Sequence, residues 1–276
     1  MLRTASRQLS TTLQRYSTAH APSPHPALTL IPDFLSPTDQ SLLLNHSLHL
    51  LDAPARTTAA GRRKRRDWLR AHPDWTPGAN PFMADDAYAW EEAHFDAVIK
   101  RYREMLVPEG AWGDDDDHGE LRTVLDKVYS LLPPSPSSSS TASDASPVPP
   151  RAASSPPSHL IMHLLHLSSS GAIYPHVDNL EAFGRQIVGV SLGSERVMRF
   201  KRVSEPGEGM EKGGPHEFEV LVEPGSAYIQ REPLRTHYTH EVLEKANWEG
   251  RQVGGSQRLS IMLRDRLPSD AGSLQA

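Results

Sequence analysis

The sequence predicts a mixed α/β fold that is mainly β, with an antiparallel sandwich or jelly-roll core in the C-terminal half and supporting helices in the N-terminal half. Beyond about residue 159, apolar residues alternate with a period of two in short segments that Gly, Pro and Ser separate. Before about residue 132, apolar residues recur at helical spacing. Six or more short strands without intervening helices are typical of an antiparallel sandwich or a jelly-roll barrel.

The composition limits the classes of function. The 276 residues suffice for one large or two small domains, and 37% hydrophobic with 23% charged residues is typical of a soluble protein. No apolar run approaches the roughly 20 residues of a membrane span. The formal net charge of −5 gives no general reason to expect nucleic-acid binding. The absence of cysteine excludes disulfides, zinc ribbons and thiol nucleophiles, so any metal must be held by His, Asp or Glu.

Residues 1–21 have the character of a mitochondrial presequence. They contain spaced arginines and several Ser and Thr, and no acidic residue precedes Asp33. Their leucines can share one face of a helix while the arginines lie elsewhere. We therefore predict a cleaved targeting segment and a location in the mitochondrial matrix, with an ordinary disordered tail as the alternative.

Residues 28–132 are predicted to form a helical support region of the same domain as the core. Leu28–Leu35 is a strand-like run, after which Ser36 and Pro37 mark a helix start. The predicted helices that follow are Tyr88–Leu106, whose apolar residues fall on the i, i+3, i+4, i+7, i+11 pattern, and Glu120–Leu132. Residues 133–158 are almost all Ser, Pro and Ala and are predicted to be a disordered insertion.

Two charge runs stand out in this half. Arg62–Arg66 is the strongest basic cluster of the chain, and it is either a contact for RNA phosphates or a solvated face. Asp114–Asp117 places four carboxylates side by side, which favours an exposed loop over a calcium site.

The core is predicted over residues 159–267, with a disordered tail at 268–276. Its strands are Leu160–Leu167, Ile187–Leu192, Arg196–Lys201, Phe218–Val222, Ser226–Gln230 and Arg258–Arg264. The mouth of such a barrel is where we expect a ligand site.

A His-x-Asp pair follows the first predicted core strand. Because side chains two apart in an extended segment point the same way, His176 and Asp178 should converge on one spot. An imidazole and a carboxylate are two of the three ligands of the facial triad that holds non-haem Fe(II). His237 and His240 are candidates for the third ligand, and since they are three apart only one can face into a barrel.

The last strand carries two arginines on one face. Arg258, Ser260 and Arg264 are separated by even numbers of residues, opposite the aliphatic residues of the same strand. This face is either the solvated outside of the barrel or an inner face, where arginines are costly unless anions meet them. A dicarboxylate between iron and the arginines would explain the inward arrangement.

Together these motifs resemble the AlkB family of Fe(II)- and 2-oxoglutarate-dependent dioxygenases. The likeness is carried by His176-x-Asp178, a distal His240 and the Arg-x-Ser-x-x-x-Arg of the last strand. It covers roughly residues 28–267 apart from the Ser/Pro-rich insertion. The resemblance implies a double-stranded β-helix (jelly-roll) core and oxidation of a C–H bond with O2 as co-substrate. It also implies a role in fatty-acid metabolism and programmed necrosis.

The resemblance further implies a role for each site residue. Iron would be held by His176, Asp178 and His240, with His237 left as a neighbour. The residues implied for 2-oxoglutarate are Arg258, Ser260 and Tyr228 at the distal carboxylate and Arg264 nearer the metal.

The chain departs from those family members that demethylate nucleic acids. They carry an Asn-x-Tyr pair upstream of His-x-Asp, where this chain has Leu165-His166-Leu167. We find no aromatic pair that would stack on a flipped base. We therefore expect a monomer that acts on a protein side chain or a small molecule. The alternatives are demethylation of mitochondrial RNA, with Arg62–Arg66 as the contact, and a catalytically silent jelly-roll interaction module.

Overall fold

The computed structural model describes residues 13–17, 23–53, 57–78, 80–94, 96–113, 119–133, 155–178, 184–203 and 214–266. Most of the predicted targeting segment and of the Ser/Pro-rich insertion, all of Asp114–Asp117 and the C-terminal tail lie outside the described residues. Within the described ranges, no helix is long and apolar enough to cross a membrane.

The described elements are mostly strands. The helices are α1 (Pro37–Asp52), α2 (Ala59–Ala71), α3 (Glu120–Tyr129) and α4 (Leu234–His237), and a 3-10 turn covers Asp85–Ala87. The strands are β1 (Gln14–Ser17), β2 (Leu28–Ile31), β3 (Glu91–Ala93), β4 (Ile99–Leu106), β5 (Leu160–His176), β6 (Ile187–Gly193), β7 (Arg196–Arg202), β8 (Glu217–Val222), β9 (Ala227–Gln230), β10 (Tyr238–Val242), β11 (Lys245–Trp248), β12 (Arg251–Gly254) and β13 (Arg258–Asp265). All six predicted core strands are present.

Eleven strands form one curled sheet in the order β1-β8-β7-β10-β5-β13-β6-β9-β2, with β4 added beside β5 and β3 beside β4. We call this curled sheet the roll. Strand β5 connects its two halves, because the first part of β5 pairs with β13 and its end pairs with β10. The described pairs of this sheet are antiparallel except β1 with β8. This architecture confirms the predicted jelly-roll type of fold.

Strand β5 turns from one half of the roll to the other at a point where its backbone comes close to that of β4. Lys100 of β4 pairs with Ala172, whereas Tyr102 pairs with Leu167, so β5 has a bulge opposite Arg101. A Cβ atom at Gly171 would lie 2.7 Å from the carbonyl oxygen of Arg101. Only glycine permits this approach of the two backbones.

The two faces of the sheet bury different sets of side chains. The inner cluster includes Leu165, Leu167, Met198, Phe200, Phe218, Val220, Tyr228 and Tyr238. The outer cluster joins the sheet to α1 and α3 and includes Leu43, Leu44, Leu48, Leu121, Val124, Leu125, Val188, Val190, Leu259, Ile261 and Leu263. Because the aliphatic residues of β13 pack outward on the helices, the alternating face with Arg258 and Arg264 turns into the roll. The sequence had left that choice open.

Helix α1 begins where the sequence predicts. The Ser36 hydroxyl accepts a hydrogen bond from the Asp39 backbone N–H, and the Asp39 carboxylate accepts one from the Ser36 backbone N–H. With Pro37 at the first helical position, this capping box fixes the start of the helix.

The predicted helix over Tyr88–Leu106 is wrong, because this segment contains strands β3 and β4. Arg101 adopts a φ of 49° and lies opposite the bulge in β5. A residue in the left-handed region interrupts the regular alternation of a strand, so that side chains three apart can lie on the same face. Ile99 and Tyr102 therefore both pack into the inner cluster, which imitates helical spacing.

Part of the predicted targeting segment belongs to the sheet. Gln14–Ser17 is β1 and pairs in parallel with β8. The Arg15 Nε atom donates to the Glu219 carboxylate at 2.9 Å.

Candidate metal centre and cofactor pocket

The end of β5 and strand β10 bring two histidines and an aspartate together. His176 is the last residue of β5 and pairs in register with His240, and Asp178 follows two positions later. One ligand atom from each of the three lies within 4.8 Å of the other two. The rings of His176 and His240 are 4.2 Å apart between centroids. This spacing lets the three donors share one ion.

The hydrogen bond of His176 and the protonation state of His240 both suit metal binding. The Nδ1 atom of His176 lies 2.9 Å from the carbonyl oxygen of Tyr174, which leaves Nε2 to face an ion. Burial lowers the pKa of His240 to about 4, although Asp178 acts in the opposite direction. Its imidazole is therefore neutral at pH 7 and has a lone pair for a metal. His237 ends α4, where its carbonyl accepts from Val203 N–H, and it is not part of the group.

Arg235 contacts the aspartate of this group. Its side chain is fully buried in α4, with Nε 3.5 Å from Oδ2 of Asp178. Its Nη1 donates to the carbonyl oxygen of Gly184. A guanidinium here balances the charge of the carboxylate and fixes its orientation. Sequence reasoning missed Arg235, because it lies in a short segment without periodicity.

Arg258 occupies the inner face with only 2% of its surface exposed. Its Nε donates to the Ser191 hydroxyl at 3.0 Å, and it interacts with the Tyr228 hydroxyl. Burial lowers the pKa of Arg258 and raises that of Tyr228. No carboxylate among the described residues forms an ion pair with Arg258, and a buried charge without a counter-ion is costly. The pocket is therefore suited to an anion.

A comparison with Arg196 shows that burial of a guanidinium need not create a site. Arg196 is 1% exposed, but it donates to the backbone carbonyls of Ser168, Leu243 and Ser256. Backbone oxygens thus surround its guanidinium. Arg258 contacts hydroxyl groups instead.

The inner face of β13 continues from Arg258 to Arg264. Ser260 pairs in register with Ser191 and Leu165, and is 2% exposed. Nη1 of Arg264 lies 3.0 Å from Nδ1 of His163, and Asp178 favours the charged form of Arg264. Burial lowers the pKa of Arg264, and burial followed by the charge of Arg264 lowers the pKa of His163 to about 4. His163 therefore accepts from Arg264 in its neutral form.

Gly189 sets the position of the Tyr228 ring. The two residues pair across β6 and β9, and a Cβ atom at Gly189 would lie 2.2 Å from Cζ of Tyr228 and 2.4 Å from its hydroxyl oxygen. The ring therefore lies across the bare backbone of β6, which brings its hydroxyl to Arg258. A glycine inside the β-branched run Ile187–Leu192 is the signal that could have revealed this close approach.

His166 belongs to a structural network on the outer face. It is fully buried, with Nδ1 3.0 Å from Nη2 of Arg103 and Nε2 3.0 Å from Oε1 of Gln257. Its neighbours Leu165 and Leu167 face the roll. The pocket wall is therefore apolar at this point.

These residues fit the group that the sequence resemblance implies. Two imidazoles and one carboxylate are the donor set of non-haem Fe(II). A buried guanidinium beside two hydroxyls suits the carboxylate of a bound acid.

Comparisons with known proteins agree with this geometry. Residues 116–264 match the family described as the 2OG-Fe(II) oxygenase superfamily. A Bos taurus protein named alpha-ketoglutarate-dependent dioxygenase alkB homolog 7, mitochondrial, is 38% identical over 113 residues, which cover 40% of this chain and 47% of that protein. The Mus musculus protein of the same name is 35% identical over 188 residues, which cover 66% of this chain and 68% of that protein. The match thus spans about half of the bovine relative.

Among solved structures, a prolyl hydroxylase from Trichoplax adhaerens in complex with a peptide fragment has a TM-score of 0.43 and 12% sequence identity. The alignment covers 91% of this chain and 88% of that one.

Proposed function

Because the chain belongs to the 2OG-Fe(II) oxygenase superfamily, among its AlkB-like members, we propose that it oxidises a C–H bond of a protein or small-molecule substrate in mitochondria. Its cofactor is Fe(II), and 2-oxoglutarate and O2 are its co-substrates. In this proposal His176, Asp178 and His240 hold the iron. Arg258, Tyr228 and Ser260 bind the distal carboxylate of 2-oxoglutarate, and Arg264 lies nearer the metal.

The observation that carries the proposal is that the three candidate metal donors and the buried Arg258 lie inside the same curled sheet. The three metal donors lie within 4.8 Å of one another at one end of the roll. A buried arginine without a carboxylate partner among the described residues lies on the inner face of β13. A protein without this chemistry gains nothing from burying such charged groups inside one curled sheet.

When bound, iron with 2-oxoglutarate and O2 supplies the oxidising chemistry. The contribution of the chain is orientation and exclusion of water. Arg235 keeps Asp178 oriented, and Arg258 with Tyr228 orients the acid. Apolar side chains of the inner cluster such as Phe200 keep water from the interior.

The rim of the metal centre supports a protein or small-molecule substrate over a flipped base. Tyr174 and Val177, which lie close to His176 in the chain, are 47% and 37% exposed. Exposed apolar side chains near a site favour contact with an apolar partner surface. The wall at Leu165 and Leu167 offers no polar group to read the edge of a base.

Succinate release from 2-oxoglutarate in the presence of Fe(II) tests the proposal. We expect release by the native chain and only background release by His176→Ala. His216→Ala, which removes an exposed histidine, is the matched control and should behave like the native chain. Equal release by the native chain and His176→Ala would show that His176 does not hold the iron. No release by an iron-loaded native chain would instead support the silent interaction module.

Demethylation of mitochondrial RNA is a second candidate. The observation in its favour is the basic cluster Arg62–Arg66, which lies along α2 with mostly exposed side chains. Neutralising the cluster should weaken binding of methylated RNA and flatten its salt dependence, because each lost phosphate contact lowers the slope by about 0.7 for a single strand. Unchanged affinity after neutralisation would exclude this candidate.

For location and assembly we propose the mitochondrial matrix and a monomer. Both curated relatives carry the word mitochondrial in their names, and the N-terminal segment is rich in arginine and free of acids. Import of the full chain into isolated mitochondria, followed by protease protection after rupture of the outer membrane, tests the location. Light scattering tests the monomer.

A further inference from the structure

A cleft of about 870 Å³ lies on the outside of the sheet, enclosed by the end of α1, helix α2, residues 87–91 and β4. Its volume is that of a small-molecule site. One wall is a row of arginines at positions 62, 65, 66 and 70 of α2. Spacings of three, four and eight place these side chains on one face of the helix, over a length of about 12 Å.

The cleft is positively charged, although the whole chain carries a formal net charge of −5. Five arginines and three carboxylates line it. One carboxylate, Asp52, is shared by two guanidiniums, with Oδ1 2.6 Å from Nη1 of Arg103 and Oδ2 3.2 Å from Nε of Arg65. Asp52 and Arg103 are only 8% and 10% exposed, so water screens the attraction between them weakly. Arg66 forms no ion pair with any described residue.

The floor of the cleft is fixed. The Arg103 guanidinium lies 4.2 Å over the centroid of the Tyr88 ring and 3.0 Å from Nδ1 of the buried His166. The neutral His166 accepts from Arg103, because burial and then Arg103 hold its pKa well below the ordinary value. A guanidinium held this way needs no reorganisation to meet an anion, and guanidinium forks match phosphate oxygens.

We propose that this cleft binds a small anion with two or more linked phosphoryl groups, such as pyrophosphate or the diphosphate of a nucleotide. The row of arginines is long enough to contact neighbouring phosphates at once. The cavity is concave and the size of one small molecule, and Arg63 and Lys64 of the same basic cluster do not line it. These features favour a compact polyphosphate over an RNA strand, which would follow the whole cluster.

Calorimetric titration of the full chain with inorganic pyrophosphate, ADP or a short oligoribonucleotide tests the proposal. Arg62→Gln/Arg66→Gln removes two charges that line the cleft. Arg63→Gln/Lys64→Gln removes two charges of the same helix that do not. Glutamine keeps a similar helix propensity in both. We expect the first variant to bind pyrophosphate and ADP at least about tenfold more weakly, and the second to bind like the native chain.

Several results would overturn the proposal. Equal weakening by the two double variants would show an effect of net charge alone. Loss of pyrophosphate binding in Arg258→Gln, with Arg62→Gln/Arg66→Gln unaffected, would assign the anion to the interior pocket. Binding of the oligoribonucleotide without binding of pyrophosphate or ADP would assign helix α2 to RNA. If none of the three probes binds, the cleft is not an anion site.

Discussion

Nε of Arg235 lies 3.5 Å from Oδ2 of Asp178, and the two side chains are 0% and 6% exposed. The pair joins α4 to the segment that follows β5, two elements far apart in sequence. A carboxylate that offers one oxygen to a metal is held in place when its other oxygen is bound. We therefore expect Arg235 to act as a positioning residue for the proposed metal ligand Asp178.

Replacing Arg235 by Gln should lower the affinity for Fe(II) by about 10- to 100-fold, because Asp178 loses the group that orients it. Titration of Mn(II) as a substitute ion, followed by electron paramagnetic resonance, measures this affinity without turnover. The control is Arg231→Gln, whose guanidinium contacts Gln186 and Thr29 instead. Equal affinities in the two variants would show that Arg235 does not position the ligand.

Gly189→Ala should raise the KM for 2-oxoglutarate more than it changes kcat. The new Cβ would overlap Cζ and the hydroxyl of Tyr228, so the ring must move and Arg258 loses its neighbour. Steady-state succinate release at varied 2-oxoglutarate gives both constants. Gly78→Ala is the control, because nothing lies within 4 Å of the Cβ it would create.

A double variant shows whether the effect passes through Tyr228. In a Tyr228→Leu background the ring is gone, so Gly189→Ala should add little to the rise in KM. Additive effects of the two substitutions would mean that Gly189 acts on the fold and not on the ring.

Arg258→Met should remove binding of 2-oxoglutarate. Loss of one partner of a buried charge pair costs roughly 2 kcal/mol or more. The affinity for 2-oxoglutarate should therefore fall at least about 30-fold. Anaerobic thermal unfolding with Fe(II), with and without 2-oxoglutarate, measures this as a shift in Tm. The native chain should be stabilised by the acid and the variant should not. A variant stabilised as strongly as the native chain would place the carboxylate elsewhere.

The local part of the site could be predicted from sequence. His176 and Asp178 are two positions apart, so alternation in an extended segment alone brings them together. The contact between Arg235 and Asp178 depends on how α4 returns to the end of β5. The course of the chain between these two elements is set by the packing of the whole roll. No periodic pattern in the sequence predicts it.

The fold class was predicted well because alternation extends over whole strands, and the error at β4 has a local cause. The left-handed conformation of Arg101 lets Ile99 and Tyr102 lie on one face, a spacing that also occurs on a helix. A positive φ at a non-glycine residue cannot be read from composition. The crossing at Gly171 has the same origin, since it requires knowledge of which strand lies opposite.

The last prediction concerns pH. Burial, followed by the charge of Arg103, holds the pKa of His166 well below its ordinary value, whereas in the unfolded chain it returns to about 6.5. Below that pH the imidazole of His166 is protonated in the unfolded state but not in the folded state. The free energy of unfolding therefore falls as pH falls, by up to about 1.4 kcal/mol per pH unit for this histidine. His163 and His240, each with a pKa of about 4, act with the same sign.

Urea unfolding of the metal-free chain at pH 7 and pH 5.5 measures this loss. His166→Gln removes one of the three contributions, so it should lose about 1 kcal/mol less than the native chain between the two pH values, whatever its stability at pH 7. His216→Gln, which changes an exposed side chain, should show the native dependence. A native dependence in His166→Gln would mean that the buried imidazole is protonated in the folded chain. Arg103 would then face a cation, and the fixed floor of the outer cleft would not exist as described.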